Sequence, residues 1–193
     1  TSEKYYFKSN ESLPKPKIVR KREKGIIYSV SSWGGYFYIH TNKGAEDFKI
    51  ERSRDIEASK WEVFIPAKNE TMIGGLTFLK NWIIRSELNN ALDKIFVRDI
   101  NSNKEEELIF TDEEVYDGSI SHTQKDRNTD LIYISYSTPK TQARTYLYNL
   151  KTKEKKLVKE QVIPTGHDPK NYIVQRIECS SDDGRKVPLT ITR

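Results

Sequence analysis

Cysteine and methionine are nearly absent from this chain, which has one of each among its 193 residues. A single cysteine, Cys179, excludes a disulfide within the chain and a thiolate metal site, which suits a reducing compartment and predicts a cytoplasmic location. We find no signal peptide and no apolar run of about 18 residues, so we expect no membrane partner. No window of about 11–18 residues keeps a helical period, which argues against a helical fold.

The motifs of common catalytic and nucleotide sites are missing as well. The sequence has no Gly-x-Ser-x-Gly elbow, no phosphate loop and no dinucleotide glycine fingerprint. His40, His122 and His167 lack the short spacing of zinc ligands and have no nucleophile elbow to pair with, so we interpret them as structural or solvated. Cys179 lies in a predicted strand, where we expect a small buried hydrophobic residue. We therefore predict no catalytic, metal-binding or cofactor-binding residue, and no cofactor.

Aromatic and β-branched residues recur in short alternating runs, with eleven Tyr, seven Phe and three Trp. This pattern predicts an all-β chain. The most regular stretch contains four strand-like pieces at Gly118–Thr123, Asp130–Ser137, Ala143–Leu150 and Lys155–Val162, with turns at Lys125–Asn128, Ser137–Lys140 and Lys151–Glu154. So small a sheet cannot cover both of its own faces and needs neighbouring sheets.

The strand pattern repeats with a period of roughly 45 residues. Strand–turn–strand segments occur at Ile26–Thr41, Met72–Arg85 and Gly118–Ser135, and outer strands at Lys17–Lys21, Trp61–Pro66, Glu106–Thr111 and Lys155–Glu160. Four strands per repeat of this length are typical of β-propeller blades. We predict a half blade at 1–22 and blades at about 26–66, 72–110 and 118–164, which together make a partial β-propeller. Because the chain starts within a repeat, we expect a fragment of a longer protein.

The repeat stops at Pro164, and a different element follows. Asn171–Ser180 and Lys186–Thr192 read as two strands, and Asp182-Asp183-Gly184 between them is a strong hairpin turn. We predict that Thr165–Arg176 is a hinge and that the hairpin belongs to a second domain.

These features resemble the prolyl oligopeptidase family of serine peptidases, and within it the oligopeptidase B (protease II) group. The resemblance is carried by Tyr136–Pro139, Leu147–Thr152, Lys155–Pro164, Tyr172, Gln175-Arg176 and Asp183–Leu189, and more loosely by Tyr36–Asn42 with Phe48. Their order and spacing match the end of the family's propeller and its crossing into the peptidase domain.

The resemblance implies a seven-bladed propeller that caps an α/β-hydrolase domain with a Ser-Asp-His triad. It implies cleavage of short peptides after Lys or Arg, with the propeller restricting entry by size. Residues 165–193 would be the hinge and the first hairpin of that α/β-hydrolase peptidase domain, which is the implied partner of this chain. Short basic peptides would be substrates of the whole enzyme, and this chain alone, without the triad, should be inactive.

The charged residues give weaker information. Net charge is +5 and the sequence pI is about 9.1, but basic and acidic residues are mixed throughout. We interpret Lys15–Lys24 as a solvent-facing strand and turn, and Glu105–Glu107 and Asp112–Glu114 as solvated charges. A nucleic-acid partner would need one basic face with aromatic platforms, and we see none.

One alternative from another functional class stays open. A non-enzymatic β-propeller module that binds a protein or peptide fits the composition and the period equally well. The hairpin at Tyr172–Arg193 favours the peptidase interpretation, because a free-standing propeller has no need of it.

Gly74-Gly75 is interpreted as a pair of strand glycines near a crowded propeller axis, where glycine permits close backbone approach.

Overall fold

The computed structural model describes residues 1–8, 10, 12–122 and 127–193. The chain divides into unit 1, Thr1–Gly75, and unit 2, Leu76–Arg193. Within the described ranges, no helix is long and apolar enough to cross a membrane.

Unit 1 holds a strand pair followed by a four-stranded sheet. The pair is β1 (Lys4–Tyr6) with β2 (Lys17–Arg20), and the sheet is β3 (Tyr28–Trp33), β4 (Tyr36–Thr41), β5 (Lys49–Ser53) and β6 (Glu62–Ile65). All neighbours are antiparallel and follow chain order. Gly34 and Gly35 make the tight β3–β4 turn, both at positive φ, where other residues would be strained.

Two further four-stranded sheets come next. The first contains β7 (Thr71–Leu79), which begins in unit 1, with β8 (Trp82–Asn89), β9 (Leu92–Asp99) and β10 (Glu105–Glu107). The second contains β11 (Asp117–His122), β12 (Leu131–Thr138), β13 (Thr141–Asn149) and β14 (Lys155–Glu160). A 3₁₀ turn, Pro169–Asn171, precedes the final hairpin of β15 (Val174–Ser180) and β16 (Lys186–Thr192). Each four-stranded sheet keeps chain order.

The core of unit 2 lies between its two four-stranded sheets. Strand β12 alternates buried and half-buried positions, so that Ile132, Ile134 and Tyr136 share one face. Buried side chains from both sheets and from their connection meet there, namely Leu79, Trp82, Ile84, Ile95, Val97, Leu108, Phe110, Ile132, Ile134, Tyr136 and Leu150. Each fully buried aliphatic or aromatic side chain contributes on the order of 1.5–3 kcal/mol, so this contact is the main source of stability in unit 2.

Unit 1 has a smaller core of its own. Tyr28, Ile39 and Trp61 are buried together, with Val30 and Phe37 packed against them. The Tyr28 hydroxyl donates to the Arg20 carbonyl oxygen at 2.7 Å and accepts from the Lys4 amide at 2.9 Å. Strand β3 of the sheet is thereby joined to both strands of the β1–β2 pair.

The architecture confirms the predicted all-β fold class, a partial β-propeller of four-stranded sheets with a terminal hairpin. Some bounds differ. The strand predicted from Glu106 to Thr111 ends at Glu107, because Leu108 and Phe110 turn into the core. The strand predicted from Asn171 starts at Val174, because Pro169 and the Asp168 side chain, which caps Lys170, favour a 3₁₀ turn there.

A Cβ placed on Gly75 would meet no described atom within 4 Å, so the close approach expected at that glycine is wrong. Ser9, within the predicted half blade 1–22, lies outside the described residues, as do Thr123 at the end of the predicted strand Gly118–Thr123 and Lys125 and Asp126 in the turn predicted after it. The assignment of 165–193 to a second domain stays a prediction.

Candidate functional site

Two of the three histidines are held by local contacts. His40 in β4 donates its Nε2–H to the Ile73 carbonyl oxygen at 2.7 Å and stacks on Phe48, with ring centroids 4.6 Å apart. His167 donates to the Lys140 carbonyl oxygen at 2.8 Å, and its ring centroid lies 5.1 Å from that of Tyr172. The His122 side chain lies outside the described residues. Across the described ranges, no group of three or more His, Cys, Asp or Glu is placed to hold a metal ion.

Each residue of the acidic run Glu105–Glu107 is paired with a cation, and at Glu105, whose side chain is only 25% exposed, this corrects the interpretation as a solvated charge. Glu105 accepts hydrogen bonds from both terminal nitrogens of Arg85, at 2.9 and 3.0 Å, and from Nε of Arg98 at 3.0 Å. Burial acts to raise the pKa of Glu105, but the bonds and charges of Arg85 and Arg98 outweigh it, and its pKa lies below the ordinary value. Lys153 pairs with Glu106, and Lys94 lies 3.5 Å from Glu107.

The second acidic run, Asp112–Glu114, also contains a paired carboxylate. Glu113 lies 2.9 Å from the ammonium group of Lys140. These ion pairs are formed across strands and turns, so they could not be seen from the spacing of charges along the chain.

A cavity of about 630 Å³ opens in unit 2 beside the β9–β10 and β13–β14 turns. Trp82 lies at its wall and donates its indole N–H to Asp130 Oδ1 at 2.7 Å. The Lys153 ammonium sits 5.9 Å from the centre of the Trp82 ring and pairs with Glu106. Among the described residues that line the cavity, Ser102 carries the one hydroxyl, which donates to Asp99 Oδ2 at 3.0 Å, and none is a histidine. The described lining therefore supplies polar contacts but lacks a nucleophile–base pair.

The terminal hairpin is amphipathic. Ile177 pairs with Leu189, Cys179 with Val187 and Gln175 with Ile191, so these side chains project on one side. We call Ile177, Cys179, Val187, Leu189 and Ile191 the apolar hairpin face. Its four aliphatic side chains are each 40–43% exposed. Apolar side chains gathered on one exposed sheet face are typical of a surface that another element covers.

Cys179 lies on the apolar hairpin face and is exposed, so the predicted burial of this residue is wrong for the chain as it stands. The reason is that no element in the described part of the chain covers that side of β15 and β16. The alternation of apolar residues in both strands was the available signal, and it locates the face but not its cover.

The hairpin is attached to the sheets of unit 2 through its other side and its linker. Arg176 donates from its guanidinium to the Asn90 carbonyl oxygen in the β8–β9 turn. His167 binds the β12–β13 turn at Lys140, as given above. Ile173 and Arg193 exchange backbone hydrogen bonds of 2.7 and 3.0 Å, which close the open end of the hairpin. The arrangement fixes the hairpin while leaving the apolar hairpin face free.

Comparison with known families identifies the family to which the sheets of this chain belong. Residues 1–161 match the family model described as prolyl oligopeptidase, N-terminal β-propeller domain. The chain belongs to this family. The matched residues include β1 to β14 and end before the 3₁₀ turn and the terminal hairpin.

Relatives agree with this membership. This chain is 28% identical over 178 residues to dipeptidyl aminopeptidase BI of Pseudoxanthomonas mexicana. The match covers 90% of this chain and 24% of the relative. It is 27% identical over 192 residues to protease 2 of Moraxella lacunata, covering 98% of this chain and 27% of that protein. The chain thus spans about a quarter of the length of the relatives it matches.

A solved structure gives the same result. Oligopeptidase B from Trypanosoma brucei, in a closed form with covalently bound antipain, superposes with a TM-score of 0.81 at 25% identity. The match covers 92% of this chain and 26% of the Trypanosoma brucei chain. The resemblance drawn from the sequence is therefore confirmed. The chain is a member of a serine peptidase family, and its relatives are the propeller portions of oligopeptidase B and prolyl oligopeptidase enzymes.

Proposed function

We propose that this chain is the propeller portion of an oligopeptidase B-like serine endopeptidase that cleaves short peptides after Lys or Arg. The propeller covers the active site and admits substrates by size. Residues 165–193 are the hinge and the first hairpin of an α/β-hydrolase peptidase domain in the same polypeptide. The chain alone is inactive, because the catalytic triad belongs to that domain. A cytoplasmic location goes with this proposal and is supported by the low cysteine content.

The apolar hairpin face is the observation that carries the proposal. It follows the residues that match the propeller family after a linker of residues 162–173, and the hairpin is held to the β8–β9 turn from its opposite side. If the rest of a peptidase domain packs on the apolar hairpin face, the aliphatic side chains of that face become buried. Such burial contributes roughly 25 cal/mol per Å² of apolar surface, which favours a stable connection between the domains.

The first experiment measures the intact mass of the native polypeptide from its source cells. We expect a mass several times the 22.6 kDa of this chain. Peptide mapping beyond Arg193 should then find a Gly-x-Ser-x-Gly elbow. A native mass of 22.6 kDa would contradict the proposal and favour a non-enzymatic module that binds a protein or peptide.

Specificity and size selection need a second assay on the same native protein. Residue preference is measured with short peptides that differ only in the residue before the cleaved bond, which is Lys, Arg, Leu or Pro. Selection by size is measured by comparing the Lys peptide with the same sequence placed in a folded domain. We expect cleavage of the Lys and Arg peptides only, abolished by a serine-directed inhibitor. Cleavage mainly after Pro would refute the basic preference while leaving the family intact, and equal cleavage of the folded substrate would refute selection by size.

A further inference from the structure

A stack of alternating aromatic rings and guanidinium groups lies on the β4–β5–β6 face of unit 1. The Arg52 guanidinium carbon is 4.7 Å from the centre of the Phe64 ring and 4.6 Å from that of Tyr36. The Arg54 guanidinium carbon is 4.4 Å from the same Tyr36 ring. The four groups therefore follow the order Phe64, Arg52, Tyr36, Arg54.

Strand register explains why these side chains meet. Arg52 is opposite Tyr38 on one side and Glu62 on the other, and Ser53 is opposite Phe37. Arg54 directly follows the last residue of β5, and its guanidinium lies against the same Tyr36 ring as that of Arg52. Contact with a ring restricts the planar guanidinium, and less freedom is lost when it then binds a ligand.

Most of the hydrogen-bonding capacity of this cluster is unused. Arg52 donates through Nε to Glu62 at 2.6 Å. Among the described residues, no hydrogen bond or ion pair engages the terminal nitrogens of Arg52, the Arg54 guanidinium or the Lys60 ammonium. All three cations line a cavity of about 310 Å³ together with Tyr36, Ser53 and Glu62. The lining thus carries three positive charges against one carboxylate.

We propose that this cavity, the Arg54 site, binds a small tetrahedral dianion, namely phosphate either free or as the phosphomonoester of a small molecule. Three cations and one carboxylate leave two positive charges, which a dianion neutralises. Guanidinium forks match the oxygens of a phosphoryl group, and Lys60 adds a point charge. The inference does not depend on the peptidase proposal, because every group it uses lies in unit 1.

The test uses the full-length protein and isothermal titration at low, constant ionic strength. The probes are inorganic phosphate, glycerol 3-phosphate and acetate. We expect millimolar or tighter binding of at least one phosphate probe, with acetate weaker by about tenfold because it carries one charge and two oxygens. Added salt should weaken binding, because the site is open to solvent.

Three variants locate the binding. Arg54→Gln removes a charge and a fork, and should weaken phosphate binding by at least about fivefold. Arg54→Lys keeps the charge and should give an intermediate loss, because the planar fork and the ring contact are gone. Lys159→Ala, on the exposed strand β14 and outside the cavity, is the matched control and should bind as the parent does.

Each outcome has a definite meaning. Binding of inorganic phosphate alone assigns the site to the free ion, and binding of glycerol 3-phosphate, alone or in addition, extends it to phosphomonoesters. Absence of binding of both phosphate probes overturns the proposal. Equal affinities in Arg54→Gln and Lys159→Ala, or acetate binding as strong as phosphate binding, also overturn it. Unchanged circular dichroism of Arg54→Gln would show that a loss of binding is not a loss of fold.

Discussion

Arg85 is a buried cation whose charge is balanced by two carboxylates. It donates to Glu87 at 2.8 Å and, through both terminal nitrogens, to Glu105. Its guanidinium carbon also lies 4.6 Å from the centre of the Phe96 ring. Removal of one partner from such a group leaves a charge that is poorly solvated and incompletely paired, which costs more than the loss of an exposed ion pair.

Glu105→Gln should therefore lower the free energy of unfolding at pH 7 by about 1–2 kcal/mol. The stability of this variant should also fall less than that of the parent protein as the pH is lowered. The folded pKa of Glu105 lies below its ordinary 4.5, so its contribution is present above the unfolded pKa and is lost as pH falls through the folded pKa. Urea unfolding at several pH values between about 7 and 3 measures both effects.

Glu106→Gln is the control for that experiment. Its partner Lys153 is 46% exposed and Glu106 itself 55%, so the change should stay within about 0.5 kcal/mol. Equal slopes of stability against pH in Glu105→Gln and the parent would contradict the assigned role of Glu105.

At the scale of strands and turns, the alternation of apolar residues was enough to predict the sheets. Strand β12 shows why, because its buried face follows directly from Ile132, Ile134 and Tyr136 at every second position. The same rule failed at Leu108 and Phe110, where apolar residues leave the ladder to fill the core between sheets. Packing between sheets determines where such a strand ends, and the local sequence does not predict that packing.

Glycine is a second case in which packing decides. A Cβ on Gly118 in β11 would lie 3.0 Å from Tyr116 ring carbons and 3.2 Å from the Phe110 ring. Neither ring can retreat freely, because Phe110 is buried and the Tyr116 hydroxyl donates to the Asp93 carbonyl oxygen at 2.9 Å. The sequence interpretation expected crowding at Gly74-Gly75 and gave no warning about Gly118.

Gly118→Ala should consequently lower the unfolding free energy by about 1–3 kcal/mol, as overpacking of a filled core does. Gly75→Ala is the matched change in strand β7, where the new methyl group meets open space. It should be neutral or stabilising by up to about 1 kcal/mol, because alanine restricts the unfolded chain. Urea midpoints of the two variants measure the difference, and a Gly118→Ala variant as stable as Gly75→Ala would show that the Tyr116 and Phe110 rings yield easily.

For the whole molecule, the sequence predicted the family and the hairpin but not the Arg54 site or the exposure of Cys179. The family came from motifs that are contiguous in the chain, such as Asp183–Leu189. The Arg54 site joins residues of β4, β5 and β6 with two cations from the β5–β6 connection, and their meeting depends on strand register and on the path of that connection. The exposure of Cys179 depends on what covers the apolar hairpin face, which no residue of this chain specifies.

Thiol labelling measures that cover directly. In the 193-residue chain expressed alone, Cys179 should react with a small thiol reagent as fast as an exposed thiol does. In the full-length polypeptide it should be protected by at least about tenfold, because a peptidase domain on the apolar hairpin face admits the reagent only during local opening. Peptide mapping identifies the labelled cysteine.

The control for labelling is Lys159→Cys in a Cys179→Ser background, which places the only thiol of the chain on the exposed strand β14. That thiol should react quickly in both the short and the full-length protein. Protection of Cys179 alone would mean that the apolar hairpin face is an internal domain contact, since the reagent and the solvent conditions are shared. Equal, fast labelling of Cys179 in both proteins would leave this face open in the native polypeptide and would remove the main support for the proposed second domain.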